Sequence, residues 1–268
     1  MDEFDADFFG PPAPDEVGSE RGELRRIGVV CPDSAADAAY FACAVARHLA
    51  RSRGTDRTAQ DRGPVVLVDG QPGTGGLDVV LDLDREAGAR WDALRGAGPD
   101  IDAQKLLAAL PERDGVRVLS HGRGVPRVHD RLVRSAVLGA LAGEAAWSVV
   151  TLAPHEPAEP TECDVIVLLV RGTVCSMAAA QQYVDKLDGE LMPVLVTLEA
   201  DARARVALGE SLDLEVVTSG PTRWRLGHRA ADDVLAGRWP GEHERTMTRL
   251  VQDVVIYVRS RGRSMAWA

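Results

Sequence analysis

Lysine is almost missing from this chain of 268 residues: only Lys105 and Lys186 among its 31 basic residues are lysines. Loops that bind nucleotide phosphates commonly need a lysine at a fixed position, so this scarcity bears on any nucleotide site. Cysteine is also scarce, with four residues and no Cys-x-x-Cys pair, and the six histidines lack metal-ligand spacing. We therefore expect neither a disulfide framework nor a metal site.

Further absences concern membranes, nucleic acids and hydrolases. No run of about 18 apolar residues could span a bilayer. The N-terminus is acidic where a signal peptide would be basic. The net charge of −10 does not suit a binder of phosphate backbones. The Gly-x-Ser-x-Gly motif of a nucleophile elbow is missing. These observations predict a cytoplasmic protein with no nucleic-acid partner, and a hydrophobic content of 45% is enough for a buried core.

Residues 1–24 differ in composition from the rest of the chain. Acidic residues and prolines dominate there, with no period of a helix or strand, which predicts a disordered acidic tail. The aromatic residues Phe4, Phe8 and Phe9 support a second interpretation, in which the tail is a short docking motif. Residues 25–268 are predicted to form one α/β domain that ends in an amphipathic helix.

Short apolar runs alternate with helical patterns along that domain. The predicted strands lie near residues 27–31, 65–69, 116–119, 147–152, 164–170, 194–198 and 214–217. The predicted helices cover residues 35–51, 101–110, 129–143, 175–187, 201–209 and 241–261. This alternation predicts a doubly wound, mostly parallel sheet of about seven strands with helices on both faces.

The turn after the first predicted strand is the usual place for a phosphate, because helix N-termini and backbone amides there point at an anion. A working loop reads Gly-x-x-x-x-Gly-Lys-Ser/Thr, whereas residues 31–39 read CPDSAADAA. Asp33 and Asp37 place negative charge where a phosphate would bind. Ser34 is a candidate helix cap, and Ala38 stands at the lysine position. We expect this loop not to support nucleotide hydrolysis.

Residues 65–78, which read VVLVDGQPGTGGLD, resemble the second strand and following loop of the MinD/ParA superfamily of deviant-Walker P-loop ATPases. Within it they are most similar to the actinobacterial CpaE/TadZ-like, or septum site-determining, proteins. The resemblance continues through residues 107–111, 114–120, 163–170 and 178–180, and so covers roughly residues 25–260. It implies the P-loop fold, protein partners, and a homodimer formed across the nucleotide face.

The departures from this family pattern concern the catalytic positions. Asp69 matches the first acid of an Asp-x-Asp that helps to activate water or order magnesium, but Gln71 stands at the second. The strand 149–152 ends without the Walker B acid. The resemblance therefore implies a vestigial nucleotide pocket with no catalytic residue, cofactor or metal, and binding of ATP and Mg²⁺ is the alternative. The pocket residues are Asp33, Ser34, Asp37, Ala38, Asp69, Gln71, Gly75 and Gly76.

Three features keep alternatives open. Asp69 is either a remnant catalytic carboxylate or a strand-end acid that caps the glycine-rich loop. The glycines of residues 73–76 either approach a ligand or permit a tight loop. The loop 120–124, with Arg123 and Arg127 beside it, is a candidate anion site, because loops at the carboxyl ends of parallel strands bind ligands.

The last predicted helix combines an apolar stripe with arginines. The stripe contains Met247, Leu250, Val251, Val254 and Val258. Such a helix either packs on the sheet or, as in MinD-like proteins, lies on a membrane or a partner. These observations together predict a non-catalytic localisation or scaffold protein for Tad pilus assembly and secretion or for septum placement. The alternatives are a weak ATPase and a peripheral adaptor on the inner face of the membrane.

Overall fold

A computed structural model describes most of the chain. The described residues are 25–52, 63–71, 76–94, 100–122, 131–156, 158–159, 162–187, 189, 191–220 and 241–265. The predicted tail 1–24, Gly75 of the predicted pocket, and Arg123 and Arg127 of the candidate anion site lie outside these residues.

Eight strands form one sheet in the order β3-β4-β2-β5-β1-β6-β7-β8. They are β1 Arg26–Val30, β2 Val65–Asp69, β3 Glu112–Arg113, β4 Val116–Leu119, β5 Trp147–Thr151, β6 Val165–Arg171, β7 Met192–Leu198 and β8 Val216–Ser219. Every pairing is parallel except that of β3 with β4. The doubly wound, mostly parallel sheet is therefore confirmed, with one strand more than the seven predicted.

The additional strand, β3, has two exposed residues and no apolar pattern. It pairs with β4 through a turn in which Asp114 and Gly115 both have positive φ, at 53° and 79°. Two residues with positive φ are typical of tight hairpin turns. The turn conformation and the cross-strand ion pair of Glu112 with Arg117, at 3.1 Å, hold this edge of the sheet together.

Helices cover both faces of the sheet. They are α1 Ala35–Ser52, α2 Leu77–Val80, α3 Ala103–Ala109, α4 Arg131–Glu144, α5 Val174–Val184, α6 Ala202–Leu212 and the C-terminal helix Gly241–Met265, with a 3₁₀ turn at Trp91–Leu94. On one face, α1 and the C-terminal helix share an apolar core with Ile27 and Val29 of β1. On the other face, α3 to α6 pack around a second core that includes Val30. This alternation is typical of parallel strands buried on both sides.

The predicted stripe of the C-terminal helix belongs to the first core. Its members Met247, Leu250, Val251, Val254 and Val258 are at most 4% exposed. The helix lies beside α1 and β8, and its Asp253 accepts a hydrogen bond of 2.7 Å from Thr218. In this structure the stripe is a packing surface within the domain. None of the described helices has the length and apolar character needed to cross a membrane.

Candidate functional site

The carboxyl ends of β2, β5, β1 and β6 lie side by side at one edge of the sheet. Ligands of open parallel sheets bind at this edge, near the place where the strand order reverses. The predicted pocket residues that the structure describes lie at the end of β2, in the first turn of α1, or in the connections that leave β1 and β2. They form two groups, one around the turn between β1 and α1 and one around the end of β2.

The turn between β1 and α1 has four residues. Residues 31–34 separate Val30 from Ala35, so Ala38, which was aligned with the motif lysine, lies in the first turn of α1. The amide of Ser34 donates to the carbonyl of Cys31 at 3.1 Å, and Ser34 Oγ accepts from the amide of Asp37 at 3.3 Å. Ser34 therefore caps α1, and its hydroxyl satisfies an amide that would otherwise face an anion.

Ala38, at the predicted lysine position, is fully buried in the core beneath α1. A side chain at this position points into the protein and not toward the sheet edge. Ala38 therefore supplies no side-chain group at the sheet edge.

Arg171, the last residue of β6, reaches across to this turn. Its guanidinium contacts Asp33 Oδ1 at 3.1 Å, forms a close ion pair with Asp37 Oδ2, and lies 4.0 Å from Glu199 Oε2. Its backbone amide donates to Ser176 Oγ at 3.0 Å, which fixes the start of the connection to α5. The side chain of Asp37 is only 6% exposed and that of Arg171 is 21% exposed. A cation from within the chain thus neutralises the acids that sequence reasoning placed at the phosphate position.

Sequence reasoning missed Arg171. A charged residue that directly follows six buried strand residues is a weak signal, and it does not identify a partner. The ion pair depends on β6 lying next to β1, although Asp37 and Arg171 are 134 residues apart in the chain.

Asp69 ends β2 and is 1% exposed. Its Oδ1 accepts hydrogen bonds of 3.2 Å from the hydroxyl of Thr151 and the amide of Gln71. Burial raises the pKa of Asp69 to about 6, while these two hydrogen bonds and the amide of Leu77 act in the opposite direction. Asp69 is therefore a strand-end acid that accepts local donors, and its pKa is high enough for proton exchange near neutral pH.

The segment after Asp69 is fastened to β5. Gln71 Nε2 donates to the carbonyl of Leu152 at 2.5 Å, and the amide of Gly70 donates to Thr151 Oγ1 at 3.2 Å. A Cβ atom at Gly70 would lie 2.3 Å from the carbonyl oxygen of Thr151. Only glycine therefore fits at this position, where two segments of the chain are in contact. Thr151, in the strand segment that lacks a Walker B acid, binds protein groups.

Trp91 completes this second group and was also missed from the sequence. It is fully buried, and its indole N–H donates to the carbonyl of Asp69 at 2.8 Å. Its ring lies 6.3 Å from that of His121, whose pKa is lowered mainly by burial. Gly76 precedes α2 with φ of 85°, a conformation that favours glycine. Among the described residues, no cluster of three or more His, Cys, Asp or Glu side chains could hold a metal ion.

No protein-family model matches the chain, and no curated protein matches it either. Several solved structures share its fold. MinD in the MinC:MinD cell division complex of Aquifex aeolicus is 14% identical with a TM-score of 0.61, over 85% of this chain and 95% of that one. A ParA family ATPase of Chlorobium tepidum is 12% identical with a TM-score of 0.60, over 85% and 99%.

The septum site-determining protein MinD of Pyrococcus horikoshii, in complex with Mg-ADP, is 14% identical with a TM-score of 0.58, over 86% and 95% of the two chains. Identities this low establish a common fold. The MinD/ParA-like fold that the sequence implied is therefore confirmed.

Proposed function

We propose that this protein is a non-catalytic member of the MinD/ParA fold, a pseudo-ATPase that acts through its surfaces. The ion pairs of Arg171 with Asp33 and Asp37 are the observation that carries this proposal. A triphosphate at the β1–α1 turn would have to displace Arg171 and would then face two carboxylates. Like charges 4 Å apart repel by about 4 kcal/mol at an effective dielectric constant of 20.

The groups at this edge do not suit ATP and Mg²⁺. Backbone amides that bind phosphate in a P-loop are here involved in a capped four-residue turn. A magnesium ion would need carboxylate ligands, but Asp33 and Asp37 contact a guanidinium, and the strand segment 149–152 contains no Walker B acid. We therefore propose that the chain needs neither a nucleotide nor a metal.

We further propose that the partners are proteins and that the chain acts as a CpaE/TadZ-like localisation or scaffold protein for Tad pilus assembly and secretion or for septum placement. The support is the shared fold together with the resemblance of residues 65–78. The MinD of Aquifex aeolicus was solved as a complex with MinC. A homodimer in the cytoplasm, whose formation does not depend on ATP, is the form that we propose.

Isothermal titration with ATP and Mg²⁺ tests the absence of nucleotide binding. We expect no heat of binding for the full chain and none for Arg171→Met, because the capped turn remains when the arginine is removed. ADP serves as the control ligand, and Arg203→Met serves as a control variant on the exposed side of α6. Saturable binding of ATP in the micromolar range would overturn the proposal.

A weak ATPase is the second candidate, and the buried carboxylate of Asp69 with its raised pKa favours it. If Asp69 activates water, slow phosphate release will disappear in Asp69→Ala and persist in Arg203→Met. The pseudo-ATPase proposal predicts no release above background in any of these proteins.

A peripheral membrane adaptor is tested by flotation of the full chain with anionic vesicles. The apolar stripe of the C-terminal helix is buried, so binding would use the exposed side of that helix, where Ile256 is 58% exposed. Flotation that is lost in Ile256→Asp would support this role. We expect the wild-type chain to remain with the unbound fraction.

A further inference from the structure

A groove runs between the second half of α1 and the beginning of the C-terminal helix. It has a volume of about 60 Å³ and opens to solvent. Buried Met247 and Val251 lie at its base. The groove is lined by Ala44, Arg47, His48, Arg51, Met247, Thr248 and Val251. It thus combines an apolar base with a cationic rim, a pairing that suits an acidic segment with large apolar side chains.

The rim of the groove carries positive charge. Arg47 pairs with Asp114 at 2.6 Å and so is held in place, while Arg51 is exposed. The pKa of His48 is lowered by burial and then by the positive charges of Arg259 and Arg51. None of the lining residues is acidic.

The α1 side of the groove approaches the end of the sheet where residues 1–24 join the domain. The amides of Arg25 and Arg26 both donate to Asp164 Oδ2 at 2.8 Å, just before β6 begins. At the same end of the sheet, Arg47 reaches the turn before β4, and the guanidinium of Arg259 lies 5.7 Å from the ring centroid of Trp147 at the start of β5. The tail is therefore attached at the end of the sheet toward which the groove extends.

Charge and length both fit the tail to this groove. Residues 1–24 contain eight acids and one arginine, so they carry −7 of the net −10. Fifteen residues, 10–24, connect Phe9 to Arg25. A flexible chain of that length spans about 20 Å on average and at most about 50 Å, while α1 with 18 residues is about 27 Å long. Tethering also raises the effective concentration to the order of millimolar.

We propose that the groove between α1 and the C-terminal helix binds the acidic, aromatic segment 1–24 of the same chain. Phe8 and Phe9 supply apolar side chains for the base of the groove, and the acids around them match the exposed Arg51. This contact does not depend on the proposed lack of ATPase activity.

Fluorine NMR of the full chain tests this contact directly. The chain has four phenylalanines, three in the tail and Phe41 in the core, where it is 1% exposed. With 4-fluorophenylalanine, Phe41 gives an internal reference. We expect at least one tail signal to be shifted away from its position in urea-unfolded protein. That signal should return toward the unfolded position in Arg51→Glu, with a docked-to-free ratio reduced about three- to tenfold.

Controls separate docking from a general charge effect. Arg203→Glu makes the same charge change on α6, which packs on the opposite face of the sheet, and should leave the tail signals unchanged. The triple variant Arg51→Glu, Asp5→Lys and Asp7→Lys, in which the charges on both sides are reversed, should restore the shift of the tail signal. About 0.5 M salt should weaken docking, because it screens charges beyond a few ångströms.

Three results would overturn the proposal. In the first, all tail signals stay at their unfolded positions in the wild-type chain. In the second, Arg203→Glu moves them as much as Arg51→Glu does. In the third, the shift appears only as protein concentration rises, which would mean that the groove binds the tail of a second copy.

Discussion

Replacing Arg171 with methionine should lower the free energy of unfolding by about 2–3 kcal/mol at neutral pH. Breaking a fully buried ion pair costs about 3–5 kcal/mol because a charge is left buried, whereas an exposed pair contributes about 0–1 kcal/mol. Asp37 is nearly buried, while the side chains of Arg171 and Asp33 are 21% and 25% exposed. The expected cost therefore lies below the fully buried range, and methionine retains most of the aliphatic packing.

Urea unfolding followed by tryptophan fluorescence measures this loss. With a slope of about 2–3 kcal/mol per molar urea, the midpoint should fall by about 1 M and the slope should not change. Arg203→Met, on the exposed side of α6, should move the midpoint by less than about 0.2 M, in keeping with the small effects of surface substitutions.

A double-mutant cycle identifies the partner. Asp37→Asn alone should cost less than Arg171→Met, because the arginine keeps Asp33 and Glu199. In the double variant the loss should be smaller than the sum of the two single losses by at least 1 kcal/mol, which is a typical coupling for residues in one network. Additive losses, or an Arg171→Met protein as stable as the wild type, would refute the claim that Arg171 neutralises the buried acid at this turn.

Three further predictions concern buried groups. The pKa of Asp69 is about 6 in the fold against an ordinary 3.8, so the native state keeps a proton that the unfolded chain loses between these values. The contribution of Asp69 to stability should therefore fall by about 2 kcal/mol from pH 4 to pH 6, and the stability difference between the wild type and Asp69→Asn should change by that amount over the same window, as urea midpoints will show. Gly70→Ala should lower the unfolding midpoint sharply because a Cβ there meets Thr151, whereas Gly139→Ala, with open space on α4, should raise stability by about 0.5–1 kcal/mol. A thiol reagent should titrate one cysteine quickly in the native chain, Cys175, and four after denaturation, since the other three are buried and their thiol pKa values are raised.

The elements with continuous apolar runs were predictable from the sequence. Strands β2 and β5 are buried at every position, and such runs indicate parallel strands covered on both faces. The elements that were missed, β3, α2 and the 3₁₀ turn, have two to four residues each. Segments this short have no period of their own, and their conformation is set by neighbours such as Arg90, which pairs with Asp78 and donates to the carbonyl of Leu83.

The candidate site was predictable only in part, and for a physical reason. Residue types alone predict that Asp33 and Asp37 oppose phosphate binding, because that prediction needs only their place at a helix N-terminus. The neutralising role of Arg171 and the contact of Thr151 with Asp69 depend on which strands are neighbours. Strand order follows from packing of the whole chain, so no local pattern contains it.

The contacts at the carboxyl edge bear on whether this fold can act as a switch. A ligand shifts a conformational equilibrium only by the difference between its affinities for the two states. Here Arg171 already joins β6 to the β1–α1 turn, and Thr151 and Gln71 join the end of β2 to β5. A nucleotide would have to break these contacts before it gained its own, so little free energy would remain to favour a second state. We therefore expect a partner protein captured by this chain to be retained equally with ATP, with ADP and without nucleotide. Capture that changes several-fold with ATP would mean that the edge opens at modest cost.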